Sequence, residues 1–163
     1  MLTFLFWNLY NKPLQRSIVN LAHQHDVDIL VLAECRIDLS HLLLMLNQRG
    51  TVLYDYAPSP VCEKIQIFTK FSSEYTAVIL EDERLTTRHV QIPSMTDTIL
   101  LVALHLPSKN FWDESDQAAE STIFSDLIKQ AEKIVIRGHL KENVRRKFST
   151  SEPIWTTLRH VQQ

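Results

Sequence analysis

Phe6-Trp7-Asn8 closes an apolar run that begins at Leu2, and Leu32-Ala33-Glu34 closes another that begins at Ile29. Both runs are almost wholly apolar, so both read as buried strands. Each ends in one metal-capable polar side chain, Asn8 in the first and Glu34 in the second. In α/β sheets the carboxyl ends of buried strands are where ligands gather. Between the runs, Asn11-Lys12-Pro13 turns the chain, with Pro13 suited to a first helical turn. Leu14, Ile18, Leu21 and Ala22 then recur at helical spacing, which predicts an amphipathic helix over Pro13–His25. With Val27–Ala33 as the second strand, this is a parallel, right-handed strand–helix–strand unit. These residues decide for an α/β fold.

The pattern continues with a helix over Leu39–Gln48, stopped by Gly50, and a short strand over Val52–Tyr56. Pro58-Ser59-Pro60 breaks it, and the period changes. Ile65–Lys70, Thr76–Glu81, Leu85–Ile92 and Thr98–Leu106 read as successive antiparallel strands. A helix is expected over Asp113–Ala131 and a short buried strand over Ile134–Ile136. Beyond Gly138 the chain becomes basic and poorly patterned through Lys141, Arg145, Arg146 and Lys147, and Pro153–Val161 reads as a short helix.

The chain has 163 residues, which predicts one domain with a real core. A net charge of −2 gives no global attraction to nucleic acid or anionic membranes, so a phosphate substrate must be drawn by local cations or metal. Two cysteines, Cys35 and Cys62, are too few for a zinc site or a disulfide framework and read as reduced thiols. The start at Leu2–Trp7 is too short for a signal-peptide core, and no run reaches the roughly 18 apolar residues of a membrane span. A cytoplasmic protein without membrane contact is expected. Gly50 and Gly138 are the only glycines, where average usage would give roughly eleven. Glycine-rich phosphate loops are thereby excluded, and phosphate chemistry would need side chains and metal.

Leu100–Leu106 repeats the device of the first two strands and delivers His105, followed by Pro107, Ser108 and Lys109. In order along the chain stand Phe6-Trp7-Asn8-Leu9, Leu32-Ala33-Glu34, Cys62-Glu63-Lys64-Ile65-Gln66-Ile67-Phe68 and Leu101–Lys109. This set resembles the endonuclease/exonuclease/phosphatase family, metal-dependent phosphodiesterases that include DNase I and the inositol polyphosphate phosphatases. The stretch from His105 through Trp112 to Asp116-Gln117-Ala118-Ala119-Glu120 resembles a bacterial branch of it. The resemblance covers Met1 to about Gly138 and implies a DNase I-like four-layer α/β sandwich, with two mixed sheets flanked by helices.

Phosphodiester hydrolysis needs a divalent cation on the phosphate, a positioned water and a proton for the leaving oxygen. By the resemblance, Glu34 binds Mg²⁺ or Mn²⁺, and Asn8 holds metal-bound water or phosphate beside it. His105 contacts phosphate and protonates the leaving group, and Glu63 is the carboxylate that fixes its tautomer. Ser108 and Lys109 would bind a substrate phosphate. Taken singly, each has a structural reading. Asn8 is a turn residue, Glu34 a solvent-facing carboxylate, His105 a hydrogen-bonding core group, Glu63 a surface charge and Lys109 a loop cation.

The resemblance breaks at Gly138. The family's Gly-Asp-x-Asn, whose aspartate handles the attacking water and whose asparagine holds phosphate, is replaced by Gly138-His139-Leu140-Lys141. His139 stands where the base belongs, and losing a positioned base costs about 10²–10⁴ in rate. The family's closing strands and Asp-His pair have no counterpart, and His160 follows Arg159 rather than an aspartate. The chain thus divides into a family-like domain, 1–138, and an atypical tail, 139–163, which reads as truncated or altered. A missing closing strand leaves a sheet edge for the tail or a second copy of the chain to cover. Two functions stand side by side. One is a metal-dependent phosphoesterase of impaired activity on a phosphate ester or nucleic acid. The other is a non-catalytic remnant that binds nucleic acid, phosphate ligands or a protein.

Overall fold

A computed structural model of the chain describes residues 2–48, 52–92 and 98–105, together with Thr122, Ser125, Asp126, Lys129 and the backbone of Ile154–Leu158. Strands β1 (Leu2–Asn8) and β2 (Ile29–Ala33) pair in parallel, with Phe4 opposite Ile29 and Asn8 opposite Ala33. Helix α1 (Gln15–Gln24) connects them. It starts two residues later than Pro13, at a Leu14 cap that makes no side-chain hydrogen bond. Helix α2 (Leu39–Asn47) has a built start, the Asp38 carboxylate accepting the His41 N–H at 3.1 Å.

Strand β3 (Asp55–Ala57) begins later than the pattern implied, and Val52 and Leu53 before it are exposed. Strand β4 (Ile65–Thr69) then departs from the expected run of four successive strands. It inserts antiparallel between β2 and β3 in the first sheet, which β8 (Ile154–Leu158) completes in the order β3-β4-β2-β1-β8. All five of its residues are buried, as a strand covered on both faces requires. A 3₁₀ turn at Ser73–Tyr75 leads to β5 (Thr76–Glu81), β6 (Leu85–Gln91) and β7 (Thr98–Leu104), an antiparallel second sheet. Helical backbone at Thr122, Ser125, Asp126 and Lys129 falls within the helix expected over Asp113–Ala131.

The period-2 alternation of side chains splits the apolar residues between two cores. Leu5, Leu9, Leu30, Leu32 and Phe68 face Ile18, Ala22, Leu42 and Leu46 of the two helices. Leu2, Ile29, Val31, Ile65 and Ile67 face Val90, Ile92 and Ala103 beside and within the second sheet. Helices, first sheet and second sheet are therefore stacked layers. Each of the larger of these side chains, fully buried, contributes about 1.5–3 kcal/mol of transfer free energy.

The tail segment read as a helix is instead strand β8 (Ile154–Leu158), antiparallel to β1 with Phe6 opposite Ile154 and Leu2 opposite Leu158. Ile-Trp-Thr-Thr is β-branched and aromatic, and the open edge of β1 offers it a row of unpaired backbone groups. The tail thus takes the edge that the sequence leaves to it or to a second copy. Among the described residues, no helix is long and apolar enough to cross a membrane.

Candidate active site at the ends of β1, β2 and β7

Glu34 follows the last residue of β2 in a left-handed backbone conformation, φ 49°. For a residue with a Cβ this costs about 1–2 kcal/mol, and such strain persists where the surroundings impose it. Here they do: the Glu34 N–H donates to the Lys64 carbonyl at 2.9 Å, and its carbonyl accepts from Asn11 N at 3.0 Å. The described residues contain four left-handed non-glycine positions, and three of them, Tyr10, Asn11 and Glu34, meet in this corner.

Strand β7 approaches from the other sheet. Ile99, Leu101 and Ala103 point into the inter-sheet core, so the alternation brings His105 out on that same face. Its backbone N–H donates to the Arg84 carbonyl at 2.9 Å, which ties it to the β5–β6 hairpin. Its Nε2 lies 2.7 Å from Glu34 Oε1, with side-chain exposures of 13% for His105 and 24% for Glu34. An ionised carboxylate only accepts, so Nε2 carries the proton. Nδ1 is buried and has no partner among the described residues.

The partner of His105 is therefore Glu34 rather than Glu63. Glu63 is exposed, and its backbone makes its hydrogen bonds, the carbonyl accepting from Gln66 Nε2 at 2.9 Å and the N–H reaching Val61 O at 3.1 Å. The reason is chain direction. Glu63 precedes β4, and its neighbour Lys64 is the residue whose carbonyl meets the end of β2.

Asn8 closes β1 opposite Ala33, one residue short of Glu34, on the face that carries Phe4 and Phe6 toward the second sheet. Its Oδ1 accepts the Tyr10 N–H at 3.0 Å, which is the turn role open to it. A carbonyl oxygen has a second lone pair, so the turn does not exhaust it. Ser108, Lys109 and His139 lie outside the described residues.

Both thiols are held protonated. Burial pushes Cys35, next to Glu34, above the ordinary thiol range, and pushes Cys62 up to about 11. Cys62 Sγ donates to the Glu83 carbonyl at 3.4 Å. A nucleophilic or metal-binding cysteine is a thiolate, the form that burial disfavours at both positions.

No group of three or more His, Cys, Asp or Glu side chains that could enclose a metal gathers among the described residues. Glu34 and Asn8 offer a carboxylate and an amide oxygen on adjacent strand ends, the donor types that magnesium takes together with waters.

No protein-family model and no curated protein matches the sequence. Solved structures do match in shape. Humanized D. rerio TDP2 carrying 14 mutations superposes with a TM-score of 0.51 at 14% identity, covering 80% of this chain and 57% of that one. Truncated Caenorhabditis elegans TDP2 gives a TM-score of 0.51 at 14% identity, over 83% of this chain and 57% of its own. The fold is DNase I-like. An endonuclease/exonuclease/phosphatase family protein from Leptotrichia buccalis is a looser likeness, with a TM-score of 0.48 at 12% identity over 77% of this chain and 61% of that one. This DNase I-like chain spans little more than half the length of the TDP2 structures it resembles.

Two partners in the corner carry no side-chain signal in the sequence, because they act through backbone: Lys64, which fixes Glu34, and Arg84, which fixes His105. The buried Arg88 does leave a signal. It alternates with Val90 along β6 on the inward side, where a cation requires a buried partner.

Proposed function

We infer that this chain is a metal-dependent phosphoesterase domain. The observation that carries the reading is the 2.7 Å contact between Glu34 and His105, which joins a carboxylate and an imidazole from two sheets at one strained corner. Glu34 and Asn8 are the residues that would hold Mg²⁺ or Mn²⁺. When bound, such a cation supplies a Lewis acid that offsets charge on a phosphate oxygen. A carboxylate has lone pairs for both a cation and a hydrogen bond, so Glu34 can serve as ligand while it keeps His105 oriented. His105 is the proton donor for the leaving oxygen, Ser108 hydrogen-bonds the substrate phosphate and Lys109 neutralises it.

His139 takes the base position, and with Lys141 where an amide belongs, activity is low. The non-catalytic alternative rests on the same replacements, His139 and Lys141 where the family keeps Asp and Asn.

Hydrolysis of bis-p-nitrophenyl phosphate with Mg²⁺ or Mn²⁺ separates the two readings. The expected result is slow turnover in the parent, loss in Glu34→Ala and gain in His139→Asp. No turnover in the parent or in His139→Asp leaves binding as the function.

A further inference from the structure

Among the described residues the largest fully buried side chain is a charged one, Arg88, on the inner side of β6. Its guanidinium donates through Nη2 to Glu81 Oε1 at 3.0 Å and to the Pro58 carbonyl at 2.8 Å, and through Nε to Thr86 Oγ1 at 3.2 Å. Thr86 Oγ1 donates in turn to Glu81 Oε1 at 2.7 Å. Side-chain exposure is 2% for Arg88 and 3% for Glu81. Glu81 Oε2 is buried without a partner among the described residues. An apolar pair would serve stability at least as well, because the desolvation of two charges offsets their attraction. What the ion pair provides instead is direction.

That direction leads to the candidate site. Glu81 and Thr86 face each other across the β5–β6 hairpin, and Thr86 lies opposite Ala103 of β7, two residues before His105. The hairpin also holds His105 directly, through the Arg84 carbonyl. Two further contacts of the hairpin reach the loop between β3 and β4: Arg88 donates to the Pro58 carbonyl, and the Glu83 carbonyl accepts from Cys62 Sγ. The same loop ends at Lys64, whose carbonyl fixes Glu34. The loop is therefore a bracket, with one end on the hairpin that carries His105 and the other on Glu34.

We propose that Arg88 and Glu81 are positioning residues that hold His105 against Glu34 by locking the β5–β6 hairpin to the Pro58–Lys64 loop. Its catalytic meaning rests on the phosphoesterase reading, but the contact it controls does not. The test replaces the pair with apolar residues of similar volume, Glu81→Leu/Arg88→Met, which leaves no buried charge behind. The imidazole N–H shared with Glu34 should give a far-downfield proton resonance in the parent, absent in His105→Asn. The double variant is expected to melt at or above the parent's temperature and to lose that resonance. On an alkyl phosphodiester its kcat should fall about a hundredfold with KM unchanged, the cost of a misplaced group. A folded double variant that keeps the resonance overturns the proposal, and so does a parent that lacks it. If the double variant does not fold, Thr86→Val removes the bridging hydroxyl alone: a weakened or shifted resonance supports the proposal and an unchanged one overturns it. If the parent shows the resonance while neither it nor His139→Asp turns over, the phosphoesterase reading fails and the positioning proposal is decided by the resonance alone.

Discussion

His105 Nε2 stands 2.7 Å from Glu34 Oε1, and the two residues close strands of different sheets, β7 and β2. They are 71 residues apart in sequence, so the contact exists only when both sheets have formed and packed. It reports at once on folding and on the candidate site.

If His105 protonates the leaving oxygen, its removal should matter in proportion to the leaving group's need for a proton. His105→Ala is expected to slow an alkyl phosphodiester by about 10²–10⁴. Bis-p-nitrophenyl phosphate, whose phenolate leaves unprotonated, should lose far less. Steady-state rates on the two esters decide the matter, and equal losses would assign His105 to some other role.

Asp55 at the start of β3 accepts the Ser73 N–H at 2.7 Å and the Tyr56 N–H at 2.9 Å. The Ser73 hydrogen bond leads in holding its carboxyl below the usual carboxylate range. A depressed folded-state value means that the ionised form is preferred in the fold. Its contribution is therefore complete above the unfolded carboxylate value and is lost as pH falls through the lower folded value. Urea midpoints should drop less steeply below about pH 4 in Asp55→Asn than in the parent. Parallel curves for the two proteins would count against it.

Tyr10 is half-exposed on a left-handed backbone, φ 49°. Tyr10→Gly removes the Cβ clash and should raise stability by about 1 kcal/mol, read from the shift in urea midpoint. An unchanged or lowered midpoint would show that the tyrosine ring offsets the strain by packing.

Removal of residues 153–163 takes β8 away and leaves the β1 edge unpaired along Leu2–Phe6. An apolar open edge recruits other chains, so the shortened protein is expected to self-associate with rising concentration in sedimentation velocity. A shortened protein that stays monomeric and as stable as the parent would show that β8 is dispensable.

Much of the fold was legible from local pattern. Leu2–Asn8 and Thr76–Glu81 fall where their apolar and β-branched residues place them, and α1 and α2 follow their helical spacing. Partner choice was not legible. Ile65–Lys70 reads as one strand among four, yet as β4 it pairs with β2 and β3, because pairing is set by which faces must be covered. The tail misled in the same way. Its local pattern allows a helix, and the unpaired edge of β1 makes Ile154–Leu158 a strand.

The candidate site divides along the same line. The residues themselves determine that Asn8, Glu34 and His105 each follow an apolar run that forms a strand, because a switch from apolar to polar is a local property, although only β2 of the three is buried throughout. Only the tertiary structure decides that Glu34, and not Glu63, meets His105. Side-chain alternation turns His105 toward the first sheet, and the Lys64 and Arg84 carbonyls fix the two strand ends at hydrogen-bonding distance. A contact between sheets depends on packing distances that no local pattern encodes.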